Sequence, residues 1–123
     1  MLESKYKRCT SFHVDGPPPW KASPGPMRAK YEPERKQLVE KLRREAYRVK
    51  EEEIFFSDEV ALAVTYLRAQ KARDPANIIG GIADALQGIL YKNDSKLVEI
   101  HYSELPIGKD QEDKYWIEVA KVE

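Results

Sequence analysis

Asp74, Asp84 and Asp94 are the side chains in the second half of the sequence that are best suited to chemistry. Carboxylates are hard oxygen ligands of the kind that Mg²⁺ or Mn²⁺ prefers, and such an ion keeps water and leaves room for a phosphate oxygen. A metal held there would polarise a phosphodiester and supply a hydroxide nucleophile. The residue types therefore indicate metal-assisted hydrolysis of a phosphodiester.

A structural interpretation of the same three residues stays open. Asp74 directly before Pro75 is typical of a helix N-cap followed by proline in the first turn. Asp84 would then be a solvated helix residue, and Asp94 would favour a turn. Asn77 lies seven residues before Asp84, so the two share one face of a helix. Spacing alone does not decide between the structural and the metal-binding interpretations.

The elements that must position these residues are predicted from the spacing of apolar residues. A short strand over 11–14 is expected at an edge of the sheet, because a proline-rich loop follows it. Apolar residues at steps of three and four predict a helix over 33–50, with Pro33 in its first turn. The segment 57–68 alternates with apolar residues on both faces, so we expect a central strand.

The second helix is predicted to begin at Asp74 and to carry an apolar stripe as far as Leu90. Gly80 and Gly81 lie in its middle, where each costs about 1 kcal/mol relative to alanine. We therefore expect another backbone to approach the helix closely at these glycines, from a strand, a partner subunit or a ligand.

Two further strands are predicted, over 96–105 and over 114–122, and the last is expected to be antiparallel. The resulting order β-α-β-α-β-β predicts an α+β fold. It would consist of a mixed sheet of about four strands with two helices packed against it.

Length and composition limit the class of protein. The 123 residues fit a single domain over residues 1–123. Lys plus Arg (21) balance Asp plus Glu (21), so any basic surface must come from local segregation of charge. The single Cys9 excludes an internal disulfide, and we find no signal-type or membrane-spanning apolar stretch. We expect a soluble cytoplasmic protein.

Residues 73–94 resemble the core pattern of the RusA family of Holliday junction resolvases. That pattern is a basic residue, then D-x-D-N, then a helix containing D-A-L-x-G, then a (D/N)-D turn that opens a strand. The matching residues are Arg73, Asp74, Pro75, Ala76 and Asn77, then Asp84, Ala85, Leu86, Gln87 and Gly88, then Asn93 and Asp94. The likeness extends over nearly the whole chain, but these residues carry its specificity.

The resemblance implies a homodimeric, Mg²⁺-dependent endonuclease that cuts four-way DNA junctions, a type often found in phages or prophages. It implies that Asp74, Asp84 and Asp94 are the catalytic metal ligands, with Asn77 orienting Asp74 or the residues around the ligands. It also implies contact with DNA through basic residues that flank this site, which are Lys21, Arg28, Arg68, Lys71, Arg73 and Lys92.

Two positions depart from the family pattern. Ala76 stands where the pattern has its second aspartate, and a methyl group cannot bind a metal. Gly80 stands where the pattern has a helix lysine, a charge that Lys92 or Lys71 would have to replace. Three hypotheses therefore remain: an active nuclease, a dimer that binds branched DNA without cutting it, and an interaction domain that keeps only the scaffold.

Overall fold

The order of strands and helices is the one that the alternation of apolar residues predicts. The computed structural model describes residues 2–22, 26–50, 57–69 and 74–122, with side chains described except at 26–29. After a short 3₁₀ turn, the elements are β1 (Cys9–Asp15), α1 (Pro26–Val49), β2 (Val60–Arg68), α2 (Pro75–Leu86), β3 (Leu97–Pro106) and β4 (Lys114–Lys121). The order β-α-β-α-β-β and the α+β class are confirmed.

The four strands form one mixed sheet in the order β1-β4-β2-β3. β4 is antiparallel to both of its neighbours, β1 and β2, whereas β2 and β3 are parallel. The edge position of the first strand, the central position of the second and the antiparallel last strand are thus confirmed. Because β2 and β3 are parallel, α2 is the crossover that returns the chain from the end of β2 to the start of β3.

Both faces of β2 are buried, because alternate residues point to opposite sides of the sheet. Leu62 and Val64 face the helices and join a core with Leu42 of α1 and Ile82 of α2. Alternate residues, such as Ala61, belong to a smaller cluster on the opposite face, which the N-terminal 3₁₀ turn covers. Full burial of each larger aliphatic side chain contributes about 1.5–3 kcal/mol, so the helices are firmly held on one face.

Both helices have bounds that differ from the predicted ones. α1 begins at Pro26 instead of residue 33, so Pro33 lies inside it, where it removes one backbone hydrogen bond. α2 ends at Leu86 instead of continuing to Leu90. It ends there because Gln87 is extended and Gly88 has a φ of 80°, which a right-handed helix does not allow. The apolar stripe beyond Leu86 reflects a buried turn and not further helix.

The proline-rich segment after β1 crosses α2 at its glycines, and we call residues 17–21 the proline strap. The Lys21 backbone N–H donates to the Asn77 carbonyl at 2.9 Å. A Cβ atom on Gly81 would lie 2.5 Å from the Trp20 carbonyl carbon, so only glycine fits there. The predicted close approach of a backbone is confirmed, and the backbone is the chain's own. The glycines therefore no longer support a dimer.

Candidate active site

Asp74 caps the N-terminus of α2. One of its carboxylate oxygens accepts from the Ala76 backbone N–H at 2.9 Å, and Pro75 follows in the first helical turn. The structural interpretation of Asp74 is thus confirmed. It does not exclude a second role, because an ionised carboxylate has further lone pairs and this side chain is exposed.

Asp84 and Asp94 share a bridging neighbour, and we call Asp84, Gln87 and Asp94 the acidic corner. The Gln87 side-chain amide donates to Asp84 Oδ1 at 3.4 Å, and its Oε1 accepts from the Asp94 backbone N–H at 3.1 Å. Tyr91 is buried beside them and donates to the Ala83 carbonyl at 2.5 Å. Burial raises the pKa of Tyr91, and the charges of both aspartates raise it further. The two carboxylates therefore belong to one corner of the molecule.

Asp74 lies at the other end of α2 from the acidic corner. Ten residues separate Asp74 from Asp84, and at 1.5 Å per residue their backbones are about 15 Å apart along the helix axis. Mg²⁺ binds oxygen at about 2.0–2.1 Å, so one ion cannot contact both side chains within one chain. In the described parts of the chain, no three His, Cys, Asp or Glu side chains form a group that could hold a metal. The structure joins the Asp84 side chain and the Asp94 backbone through Gln87 and leaves Asp74 apart.

The donor set of the acidic corner fits a hard divalent cation. Mg²⁺ is commonly held by one or two carboxylates and keeps several waters. Asp84 and Asp94 supply two exposed carboxylates at this corner. Their role as ligands, and that of Asp74, stays a prediction.

Lys21 covers the helix position where the family pattern has a lysine. Its Cδ would lie 3.2 Å from a Cβ atom on Gly80, so the lysine stem lies across that glycine. Asn77 is exposed in the first turn of α2, next to this lysine in space, because its carbonyl accepts from Lys21 N–H. The sequence suggested Lys71 or Lys92 as replacements, because a contact between residues 21 and 80 leaves no signal in local spacing.

The other predicted DNA-binding residues lie at several places. Lys92 is exposed in the turn that follows α2, close to the acidic corner in sequence. Arg68 ends β2 and pairs with Glu104, with 3.5 Å between Nε and Oε1, so its charge is partly neutralised. Lys71, Arg73 and the side chain of Arg28 lie outside the described residues.

Arg43 is a residue of the site that the sequence did not reveal. Its guanidinium donates to the Ala85 carbonyl at 2.7 Å and to the Gln87 carbonyl at 3.4 Å, both at the end of α2. In sequence, Arg43 looked like one more cation on the solvated side of α1. Gln87 occupies the unspecified position of D-A-L-x-G, so nothing marked it as the bridge between Asp84 and Asp94.

The crossover helix of the mixed sheet carries Asp84 in its last turn, and Asp94 begins the 3₁₀ turn that precedes β3. The family model for endodeoxyribonuclease RusA matches residues 20–122 of the chain. Because the match covers most of the 123 residues, the chain belongs to the RusA endodeoxyribonuclease family. That family comprises endonucleases that resolve Holliday junctions, and branched DNA is what they bind.

A search of curated proteins gave no match to this chain. In the described ranges of the structure, no helix is long and apolar enough to cross a membrane.

Proposed function

We propose that this chain is a Mg²⁺-dependent, structure-specific endodeoxyribonuclease that hydrolyses phosphodiesters at four-way DNA junctions during recombination and repair. Mn²⁺ is the alternative metal. The observation that carries the proposal is the acidic corner, where Gln87 links Asp84 and Asp94 on the surface of a chain of the RusA family. Since the substrate is DNA and Cys9 needs no oxidising compartment, we propose the cytoplasm as its location.

Each residue of the acidic corner has a distinct task in this proposal. Asp84 and Asp94 would hold the cation, which when bound polarises a phosphodiester and lowers the pKa of a bound water. Gln87 holds the two aspartates in a fixed relation through its two hydrogen bonds. Arg43 fixes the backbone of Gln87 in turn. Lys21 and Lys92 would contact phosphates beside the corner.

A homodimer would give Asp74 a part in the same chemistry. Within one chain Asp74 lies a helix length from the acidic corner, so it can join that corner only across two protomers. We therefore propose that Asp74 of one protomer, oriented by Asn77, serves the acidic corner of the other. In the same proposal, DNA binding also involves the remaining predicted cations, which are Arg28, Arg68, Lys71 and Arg73.

A cleavage assay on a synthetic four-way junction tests the metal site. We expect cutting in Mg²⁺ or Mn²⁺ and none in EDTA. Asp84→Asn and Asp94→Asn should each lower the rate about a hundredfold or more, because several kcal/mol of charge stabilisation are lost. Asp110→Asn, an exposed aspartate of the β3–β4 loop, is the matched control and should cut normally. Full activity of both corner variants would refute the proposed ligands.

A second candidate function, binding branched DNA without cutting it, is favoured by Ala76. This residue is exposed in the first turn of α2, beside Asp74, and offers only a methyl group. If the chain is a weakened nuclease, Ala76→Asp should raise cleavage in Mg²⁺. Unchanged cleavage with unchanged junction binding would support the binder. Equal affinity for junction and linear duplex at moderate salt would leave only a scaffold.

A further inference from the structure

α1 carries an excess of positive charge, although the formal net charge of the chain is zero. Its second half, residues 38–49, contains four basic side chains and two acidic side chains. Three glutamates follow at 51–53 in the sequence, so the excess of positive charge ends with the helix. Such local segregation is what a net-neutral chain needs to attract a polyanion.

These turns form a shallow surface groove, which we call the α1 groove, lined by Glu40, Arg43, Arg44, Tyr47 and Arg48. Arg44 and Arg48 are four residues apart, so they project from the same side of the helix. Arg48 pairs with Glu45 at 3.1 Å, whereas no carboxylate in the described ranges pairs with Arg44. The groove therefore keeps an excess of positive charge.

The α1 groove is continuous with the acidic corner through Arg43. This arginine lines the groove and also donates to the Ala85 and Gln87 carbonyls at the end of α2. Gln87 in turn bonds to Asp84 and to the backbone of Asp94. A chain that lies in the groove therefore passes directly beside the acidic corner.

We infer that the α1 groove binds the sugar–phosphate backbone of duplex DNA and holds one arm of a branched substrate against the acidic corner. Guanidinium groups form paired hydrogen bonds with phosphate, and Arg44 presents one that has no internal partner in the described chain. Tyr47, 56% exposed, adds a hydroxyl donor for a backbone oxygen. This inference rests on the proposed function. It adds a DNA-binding surface to which the proposed function gives no role.

A protein partner fits the groove less well than DNA. Stable protein interfaces are built around a buried cluster of apolar anchors. On the described part of α1, Tyr47 is the one exposed large apolar side chain. Leu42 and Ala46 of the same turns are buried in the core. Charge, and not apolar area, is what the groove offers.

Arg44→Gln and Arg44→Glu test the inference, with junction affinity measured by fluorescence anisotropy at several salt concentrations. Arg44 is exposed, so neither change should disturb folding, which circular dichroism checks. Arg44→Gln should lower the association constant roughly threefold to tenfold and reduce the salt slope by about 1. Arg44→Glu should lower it further. The control is Lys7→Gln, which removes one exposed charge beside Tyr6 on the opposite face of the sheet and should change neither quantity.

The possible outcomes separate this inference from the proposed function. If the wild type binds and cuts the junction but both Arg44 variants behave like Lys7→Gln, the groove assignment fails alone. If the wild type neither binds a junction more tightly than linear duplex nor cuts it, the proposed function fails. The groove assignment, which rests on that function, then fails as well. If the Arg44 variants lose binding to an acidic polypeptide but bind DNA as the wild type does, the groove binds a protein and the inference is overturned.

Discussion

Two adjacent glycines of α2 differ in what surrounds them. A Cβ atom on Gly81 would lie 2.5 Å from the Trp20 carbonyl carbon and 2.6 Å from the Pro19 carbonyl oxygen, both backbone atoms of the proline strap. A Cβ atom on Gly80 would meet the side chain of Lys21, with Cδ at 3.2 Å. A lysine stem can move aside, but a proline-stiffened backbone that is bonded to the helix cannot.

Gly81→Ala should therefore lower the free energy of unfolding by about 1–3 kcal/mol, the usual effect of overpacking. Gly80→Ala should leave it unchanged or raise it by up to about 1 kcal/mol, because alanine favours the helix. Urea denaturation of both variants and the wild type measures the difference. Equal effects at the two positions would contradict the contact between the proline strap and α2.

The surroundings of Glu99 on β3 strongly lower the pKa of its carboxyl group. Its side chain accepts hydrogen bonds from the Tyr6 hydroxyl, from His101 Nε2 at 2.5 Å and from Lys5 Nζ at 3.0 Å. The Tyr6 hydroxyl first, then His101 and Lys5, lower the pKa of Glu99 from 4.5 to about 2. These contacts hold the N-terminal segment against β3, the edge strand opposite β1.

Glu99 should make the protein sensitive to acid. Because its pKa is lower in the folded chain than in the unfolded chain, it stabilises the fold above about pH 4.5. That contribution is lost as pH falls from about 4.5 to about 2. Glu99→Gln should therefore show a smaller fall in Tm than the wild type across this range. The control is Glu34→Gln, at an exposed position on α1, whose Tm should fall across this pH range as the wild-type Tm does.

At the scale of the element, α2 ends on an arginine from another helix. The last carbonyls of a helix have no intrahelical partner, and a cation near them is favourable. Arg43 of α1 donates to two of these carbonyls, on Ala85 and Gln87. One side chain therefore caps the end of α2, joins it to α1 and contacts the acidic corner at Gln87.

Arg43→Gln should lower the free energy of unfolding by about 1–2 kcal/mol, because charge-assisted hydrogen bonds to the helix end are lost. Arg44→Gln removes the same charge one residue further on and should change stability by no more than about 0.5 kcal/mol. Chemical denaturation compares the two variants. A stability loss of the same size in both would mean that charge, and not capping, explains it.

Local chemistry predicted the start of α2 correctly but not its end. Asp74 and Pro75 mark the start because an N-cap aspartate followed by proline is a local pattern that can be recognised in the sequence. Ile89 and Leu90 continue the apolar spacing, so the sequence did not show that Gly88 turns the chain between them and Leu86. The core faces and the order of helices and strands along the chain were predictable, because they depend on periods of two and of three to four residues.

The site was only partly predictable for a physical reason. The sequence offered Asp74, Asp84 and Asp94 as candidate ligands, but a helix is a rigid rod, and a crossover between parallel strands uses its whole length. Asp74 was therefore bound to lie far from Asp84 within one chain. Arg43 and Lys21 act through contacts with residues more than forty positions away, which spacing does not encode.

At the scale of the whole molecule, the separation of Asp74 from the acidic corner predicts activity shared between protomers. Sedimentation should give twice the 14.2 kDa chain mass. Asp74→Asn and Asp94→Asn homodimers should each cut a four-way junction about a hundredfold or more slower than the wild type. A mixture of the two should recover cutting, because the mixed dimer has one complete set of Asp74, Asp84 and Asp94. No recovery in a verified mixed dimer would show that Asp74 does not act across the interface.

The place of β4 between β1 and β2 affects how the chain folds as the ribosome makes it. β1 pairs with β4, and Cys9 lies opposite Ala120. At about 5–20 residues per second, β1 waits several seconds for that partner to be translated. β2 and β3 are translated earlier, so a nascent chain in which they pair exposes the edge of β2 that β4 will cover, and unpaired strand edges of this kind are prone to aggregation.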